Sequence, residues 1–579
     1  MSVYILLSSI FSAVIWRVAT NRKFQRIIGV WRRALPHWLE WSLFKLRSRI
    51  SRLDVDKTEQ EAQRFYIRTA PILFDTICDL GGYFVKIGQR FALSRGFIPE
   101  PYVDVLKPLC ADVPPRPFET MAKVFLTSTG KSVHDAFESI DHEPLGSASL
   151  AQAHRAIICP RGLVERCKVV VKIMYPEVDE TFKLDLDNVL YIARVMVPHL
   201  HVILQREYET HFSELDFRNE AQSLLRANRS MIRGGFSPHQ VVIPRPFMAF
   251  TTRKSLVMDF LPGDTFQSVI ERNVDSFAHS LGLRDAHELR EHFNAMAGVK
   301  EVGSSSKNIE SRRVASKHIS QSTITQAKRI GEISAQIANC AVAIHNGSML
   351  ALRGIGARAL VSDSFLQMRQ YHKSPARELK RIFDLVVQVH GHQLLVDGFV
   401  NIDPHPGNIV ILPDGRIGLI DYGQCVTFSI EERRGIARVI RALGSGDKRG
   451  AATAMRALPG GYKQENDSWQ SVFKFSEFTF DKYDITPLQY DDGSFTPSDI
   501  IEVFSKHTEL VVPRCVTFAR RLSNTLLGTA MSFGVQTSLA TSWRDLANQL
   551  DEAADQEFKL GPAEGRHHSE CACVGPRCC

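Results

Sequence analysis

Two carboxylates and one amide, Asp403, Asp421 and Asn408, sit inside a single stretch, NIDPHPGNIVILPDGRIGLIDYG (401–423). Hard oxygen donors so close together suit Mg²⁺, which takes few protein ligands and leaves its other positions to water and phosphate oxygens. A magnesium polyphosphate also needs a cation, and VVVKIM (169–174) supplies Lys172, an amine set behind three valines. A lysine on so apolar a strand is costly unless a carboxylate meets it. SELDFRNEA (213–221) offers Glu214, Asp216 and Glu220. Read as a helix, at about 100° per residue, it puts Asp216 and Glu220 on one face and Glu214 nearly opposite, so that one helix serves two clusters. The plainer readings are an edge-strand lysine reaching water and a solvated amphipathic helix; the company these groups keep weighs against both.

Positioning them takes a hairpin, a central strand and a helix. IVIL (409–412) and IGLI (417–420) flank the PDGR turn, and pairing them as a hairpin returns Asp421 beside Asn408. The Asp403-to-Asn408 offset of five positions equals that of the protein-kinase loop H-R-D-x-x-x-x-N, and DYG (421–423) stands where kinases have D-F-G. Upstream, LAQAHRAII (150–158) and CKVVVKIMY (167–175) read as short strands joined by a polar turn at 160–162. A helix follows, then the strand SLVMDFL (255–261), closed by Pro262 and Gly263. From Asp54 to Ile140 the apolar spacing is helical, broken at Pro99, Pro101 and 114–117. A long helix (376–398) leads into the opening stretch, and beyond Cys425 the pattern is helical again, starting with a capping box at Ser429 and Glu432. Residues 264–370 contain the polar, Ser/Lys-rich run 299–326 and read as a mobile insertion.

The 579 residues, 44% hydrophobic and 23% charged, have room for several packed units. The formal charge is +8, and residues 1–39 hold six basic residues (Arg17, Arg22, Lys23, Arg26, Arg32, Arg33) and no acid. The remainder is nearly balanced, which argues against a nucleic-acid surface. The uncharged run 2–16 is short of the roughly 20 residues a spanning helix needs. An Arg-rich, acid-free, amphipathic start reads as a mitochondrial presequence or a membrane-surface anchor, with an endomembrane signal anchor as the next alternative. Seven scattered cysteines show no paired spacing and point to a reducing interior. Four more lie in the terminal CACVGPRCC; this reads as a solvated tail, against metal binding with His567 and His568 or lipid on Cys578 and Cys579.

KIGQ (86–89), PLGSASLAQAH (144–154), VVVKIMYP (169–176), ELDFRNEA (214–221), DPHPGN (403–408) and DYG follow one another in the order found in the UbiB, or AarF-domain, atypical kinases. The chain resembles that family from about Asp54 to Trp543. The resemblance implies an α+β, two-lobed protein-kinase-like fold with ATP or ADP and Mg²⁺ between the lobes and a helical N-terminal extension packed over the nucleotide site. It divides the chain into a targeting or anchoring segment (1–53), a helical KxGQ extension (54–140), an N-lobe (141–263), an insertion (264–370), a C-lobe (371–560) and a Cys-rich tail (561–579).

By carry-over, Asp403 takes the catalytic-base position, Lys172 contacts phosphates and pairs with Glu220, and Asn408 and Asp421 hold magnesium. Gly146, Ser147, Ala148, Ser149, Asp259 and Leu261 join Lys172 around the nucleotide. Lys86 and Gln89 resemble the KxGQ element, which folds over the site and contacts Glu214 or Asp216 of the ExD motif. Family associations imply work at a mitochondrial or other organelle membrane, in ubiquinone or other isoprenoid-lipid metabolism. Isoprenoid lipids or lipid-biosynthesis enzymes are then the partners, with no nucleic acid. GSASLAQ (146–152) replaces the kinase G-x-G-x-x-G loop; alanine methyls restrict the loop and crowd the phosphates, and the family's alanine-rich loop implies an altered nucleotide preference. Asn401 stands where the family has histidine, from which looser packing of the catalytic loop is expected. No A-P-E segment follows DYG, so a peptide-substrate platform is unsupported.

TGKS (129–132) ends like a Walker A motif, but position 125 is Phe where that motif needs Gly, and Gly130 reads as a helix C-cap. HGH (390–392) and His405 read as packing residues ahead of metal ligands. A nucleotide-binding scaffold without phosphotransfer is the second functional reading, and transfer to a small lipid-like acceptor is the third.

Overall fold

The computed structural model describes residues 22–50, 55–92, 99–110, 115–158, 166–196, 212–280, 375–460, 468–482, 513–532 and 537–560, with short pieces between. Residues 1–21, most of the polar insertion and the Cys-rich tail lie outside the described residues. Helices α1 (Arg22–Ile50), α2 (Val55–Leu80), α3 (Gly82–Ala92) and α4 (Glu100–Leu106) come first. α5 (Phe118–Thr129) stops at Gly130, whose φ of 72° makes it the expected left-handed cap, and the short α6 (Val133–Ala136) leads into the sheet.

β1 (Ser139–Ile140), β2 (Gly146–Ser147), β3 (Ala151–Ile158) and β4 (Cys167–Met174) are joined antiparallel. Helices α7 (Val178–Met196) and α8 (Phe217–Arg233) and the short β5 (Val241–Val242) follow. β6 (Ser255–Asp259) then pairs along the other side of β4. Lys172 therefore stands on a strand flanked on both sides, opposite Ala153 and Leu256, and is no edge-strand lysine. Period-two alternation sends Val169, Val171 and Ile173 into the core and turns Lys172 to the other face.

Gly263 makes the passage out of this lobe: its φ is 149°, and a Cβ there would lie 2.1 Å from the Ile411 carbonyl oxygen. β7 (Asp264–Thr265) and α9 (Phe266–Ser280) follow. Residues 264–280, read from sequence as the start of the insertion, are thus an integral strand and helix; Phe266 and Ile270 are buried. In the second lobe come α10 (Pro375–His392), β8 (Phe399–Asn401), β9 (Ile409–Ile411), β10 (Ile417–Leu419) and β11 (Cys425–Thr427). β9 and β10 form the expected hairpin, with Leu419 opposite Ile409. β7 extends that hairpin on one side, β5 on the other. Helices α11 (Ile430–Gly444), α12 (Lys448–Arg456) and α13 (Trp469–Phe480), a hairpin of β12 (Leu488–Tyr490) and β13 (Gly493–Phe495), then α14 (Arg514–Ser532) and α15 (Leu539–Leu560) complete the lobe. The Ser429–Glu432 capping box is present; β11 and the β12–β13 hairpin depart from the all-helical expectation past Cys425.

HGH is a packing device. A Cβ on Gly391 would sit 2.3 Å from the Trp543 ring, whose indole N–H donates to the Val387 carbonyl at 2.8 Å and ties α15 to α10. His390 is buried, with Nδ1 2.8 Å from the Val386 oxygen. Burial pushes its pKa down to about 4 against that hydrogen bond. The folded chain thus binds its proton less readily than the unfolded chain. Stability present above pH 6.5 is lost as the pH falls towards 4, by about 3 kcal/mol from this group alone. Denaturant melts of wild type and His390→Gln between pH 7 and 4 check this: the wild-type acid slope is expected to be the steeper.

Candidate functional site

The Lys172 ammonium lies 2.9 and 3.0 Å from the two oxygens of Glu220 and 2.9 Å from Asp421 Oδ2. Burial works against its charge, but Asp421 and Glu220 hold its pKa well above the ordinary lysine value. Burial pushes the Glu220 carboxyl up to about 7 although Lys172 pulls the other way. At Asp421 burial again favours the proton, but Lys172 and the Gly423 N–H outweigh it and keep the pKa below the usual range. Asp421, about a third exposed, is therefore an anion that faces the cleft.

Helix α8 delivers Glu220, and its start corrects the sequence reading. It begins at Phe217, with Asp216 as N-cap accepting from the Arg218 N–H at 3.0 Å. Glu214 and Asp216 therefore precede the helix, and do not lie on opposite faces of it. Glu214 meets Lys86 in a buried ion pair, whereas Asp216 is spent on its cap and on the Arg218 guanidinium. Gln89 donates to the Leu109 carbonyl at 2.8 Å. The glycine of KIGQ has a packing reason: a Cβ on Gly88 would lie 2.6 Å from Leu109 Cδ1 and 3.2 Å from Ile77 Cγ2, so only Gly lets α3 seat this closely.

The hairpin brings Asn408 and Asp421 together as expected, with the Ile420 N–H on the Asn408 carbonyl at 3.1 Å. Asn401 does the opposite of loosening the loop. It is buried; its Nδ2 donates to the Asp421 carbonyl at 2.8 Å and its Oδ1 accepts from the Asp403 N–H at 2.9 Å. One amide thus fixes both acids' backbones. Tyr422, where kinases carry Phe, is buried with its hydroxyl accepting from Gln393 Nε2 at 2.9 Å. In the alanine-rich loop the Ala148 N–H closes on the Ala151 carbonyl at 2.8 Å, and Ser147 and Tyr175 hydroxyls meet at 2.5 Å. Asp259 accepts from the Arg245 N–H at 3.0 Å.

Every residue named above as a candidate from sequence, Asp216 excepted, lines one cleft of about 870 Å³. Sequence reading missed its far wall, α14, which contributes Thr517, Arg520, Arg521, Asn524 and Thr525. The signal was present as a polar stripe at helical spacing in TFARRLSNT (517–525). The Asn408 amide oxygen and the Asp421 carboxylate form a donor set that fits Mg²⁺.

A profile for the ABC1 atypical kinase-like domain matches residues 108–280 and 361–455. The chain belongs to the UbiB/AarF family. AarF domain-containing protein kinase 1 of Xenopus laevis is 29% identical over 237 residues, 39% of this chain and 44% of that protein. Protein ACTIVITY OF BC1 COMPLEX KINASE 8, chloroplastic, of Arabidopsis thaliana is 31% identical over 202 residues, 33% of this chain and 25% of that protein. The match thus spans less than half the length of either relative. A solved Mycobacterium tuberculosis structure, titled as a complex with erythromycin, aligns over 86% of this chain and 98% of its own at 17% identity, with a TM-score of 0.41. The profile leaves residues 281–360, after α9, unmatched.

Removing the central cation leaves two carboxylates facing each other. Lys172→Ala is expected to destabilise the fold by about 3–5 kcal/mol, and Glu220→Gln by less, because Asp421 still pairs the amine. Urea unfolding of the three proteins at pH 7.5 checks the order.

Proposed function

We propose that the chain is an atypical kinase or ATPase that binds a magnesium nucleotide in the cleft and acts at a membrane surface. The observation that carries the reading is the convergence of Lys172, Glu220 and Asp421 beside Asn408. In this reading Asn408 and Asp421 hold Mg²⁺, which neutralises charge on the phosphate oxygens. Lys172, kept charged by its two carboxylates, contacts the phosphates, and Glu220 orients it. Asp403 accepts the proton of the acceptor hydroxyl. Lys86 and Gln89, with Glu214, close one end of the cleft and limit access of large acceptors. The alanine-rich loop favours ADP or ATP by how closely it lets phosphate approach. A regulatory scaffold that binds nucleotide without phosphotransfer is the second reading; the Arg521–Asp403 contact at 3.6 Å, which engages the base, favours it.

The membrane part rests on α1. Its residues Ile28, Leu35, Leu39, Leu43, Leu46 and Ile50 are all exposed. At about 100° per residue they fall within an arc of roughly 80°, while Arg26, Val30, Arg33 and Trp41 on the opposite side pack inward. Residues 22–50 carry eight basic side chains and one acid. A helix of that kind lies in an anionic lipid surface. Among the described residues no helix is long and apolar enough to cross a membrane. The word chloroplastic in the name of the Arabidopsis thaliana relative favours an organelle setting. We place the chain at the mitochondrial or another organelle membrane, in ubiquinone or other isoprenoid-lipid metabolism, where an isoprenoid lipid or a lipid-biosynthesis enzyme is the partner.

Asp421→Asn is expected to lower Mg-dependent ATP turnover by at least about 100-fold. Turnover equal to wild type rejects the kinase or ATPase reading, and nucleotide binding without phosphate release in the wild type, with or without liposomes, favours the scaffold. Leu39, Leu43 and Leu46 changed together to Glu are expected to weaken sedimentation with anionic liposomes by about 100-fold or more, since each buried leucine contributes about 1.5–3 kcal/mol. Unchanged sedimentation rejects α1 as the contact.

A further inference from the structure

The cations lining the cleft are mostly committed. Glu220 and Asp421 hold Lys172, and Glu214 holds Lys86. His405, largely buried, has its pKa lowered and its Nδ1 accepts from the Gly407 N–H at 3.1 Å, so it adds an acceptor and no charge. Asp259 and Glu271 bring further carboxylates to the lining. A nucleoside triphosphate with one Mg²⁺ still carries net negative charge, and in phosphoryl transfer that charge spreads over the equatorial oxygens of the terminal group. Arg520 and Arg521 of α14 are the remaining cationic side chains among the described lining residues. Arg520 lies over the Phe478 ring at 5.2 Å. Arg521 is sunk to 9% exposure with Nη2 3.6 Å from Asp403 Oδ2, an ion-pair contact beyond hydrogen-bond length. One turn on, Asn524 lines the same cleft; its Nδ2 is a donor to phosphoryl oxygens, whereas its buried Oδ1, without a hydrogen-bond partner among the described residues, is an acceptor and no part of an anion site. α14 lies outside both segments matched by the family profile.

We propose that Arg521, with the Asn524 amide beside it, is the subsite for the terminal phosphoryl group of the nucleotide. This rests on the magnesium-nucleotide reading of the cleft and deepens it. The guanidinium exchanges Asp403 for the phosphoryl oxygens, which leaves the carboxylate to the acceptor. The bond between the terminal phosphorus and its bridging oxygen then breaks, a bond to the acceptor oxygen forms, and the hydroxyl proton passes to Asp403. The nucleoside diphosphate leaves. Arg521 keeps its own protons throughout, as a guanidinium does.

The test compares MgATP and MgADP on the full chain. Arg521→Gln is expected to bind MgADP within about 2-fold of wild type, to bind MgATP about 10-fold more weakly, and to lose about 1,000-fold in turnover, in the range an arginine at this position supplies. Guanidinium added to Arg521→Ala is expected to restore part of the turnover. Equal weakening of both nucleotides, or none, overturns the subsite while leaving nucleotide binding standing. A wild-type chain that binds neither nucleotide overturns both. Thermal melts check folding, and if Arg521→Gln is unfolded, Arg521→Lys, which keeps the charge without the fork, carries the same ATP-against-ADP comparison.

Discussion

A lysine ammonium out of bulk water, clamped between two carboxylates that reach it from different lobes, is the constraint on which the rest of the molecule turns. Unpaired, the Lys172 charge would be costly on a strand flanked by β3 and β6. Pairing it requires that α8 hold its angle and that the β9–β10 hairpin keep its register. The Asp216 cap fixes the first, together with the Phe217 N–H donated to the Arg253 carbonyl at 3.1 Å. The Asn401 amide fixes the second, because it binds the backbones of Asp403 and Asp421 at once. Three short local devices thus maintain one long-range electrostatic contact.

The helical extension does two jobs with opposite surfaces. α3 reaches into the cleft with Lys86 and is seated by the absence of a side chain at Gly88. α1 grips the body through the Arg26–Asp185 ion pair and Trp41 packed on Phe65 and Tyr66, and turns its leucines outward. Apolar area left in water on one side of a helix and ion pairs on the other is a combination that a lipid surface satisfies. α2 packs against both α1 and α3, between the outward stripe and the cleft.

Much of the cleft was legible in the sequence because its key spacings are local. Asp403, Asn408 and Asp421 are set by a five-residue offset and a hairpin, both readable from turn chemistry and alternation. Lys172 was legible because an amine among valines has few explanations. What stayed hidden depends on chain segments far apart. Whether α8 starts before or after Asp216 is decided by a backbone partner on the loop before β6, which no helical wheel contains. Asn401 reads as a weakened position in sequence because one of its two hydrogen bonds reaches the Asp421 carbonyl, which only the fold brings near. Arg521 stands more than 100 residues after Asp403, and only the packing of α14 across the cleft brings them together. Residues 264–280 were absorbed into the insertion since their charges mask an amphipathic helix whose buried side is Phe266 and Ile270.

The most direct measurement is the affinity of the full chain for ADP with Mg²⁺ present and with the metal removed by chelator. A cleft built around Asn408, Asp421 and Lys172 requires the metal to offset one carboxylate before polyphosphate can approach, so binding should be at least about 10-fold tighter with Mg²⁺. Equal affinity in chelator, or no binding in either condition, would contradict the account.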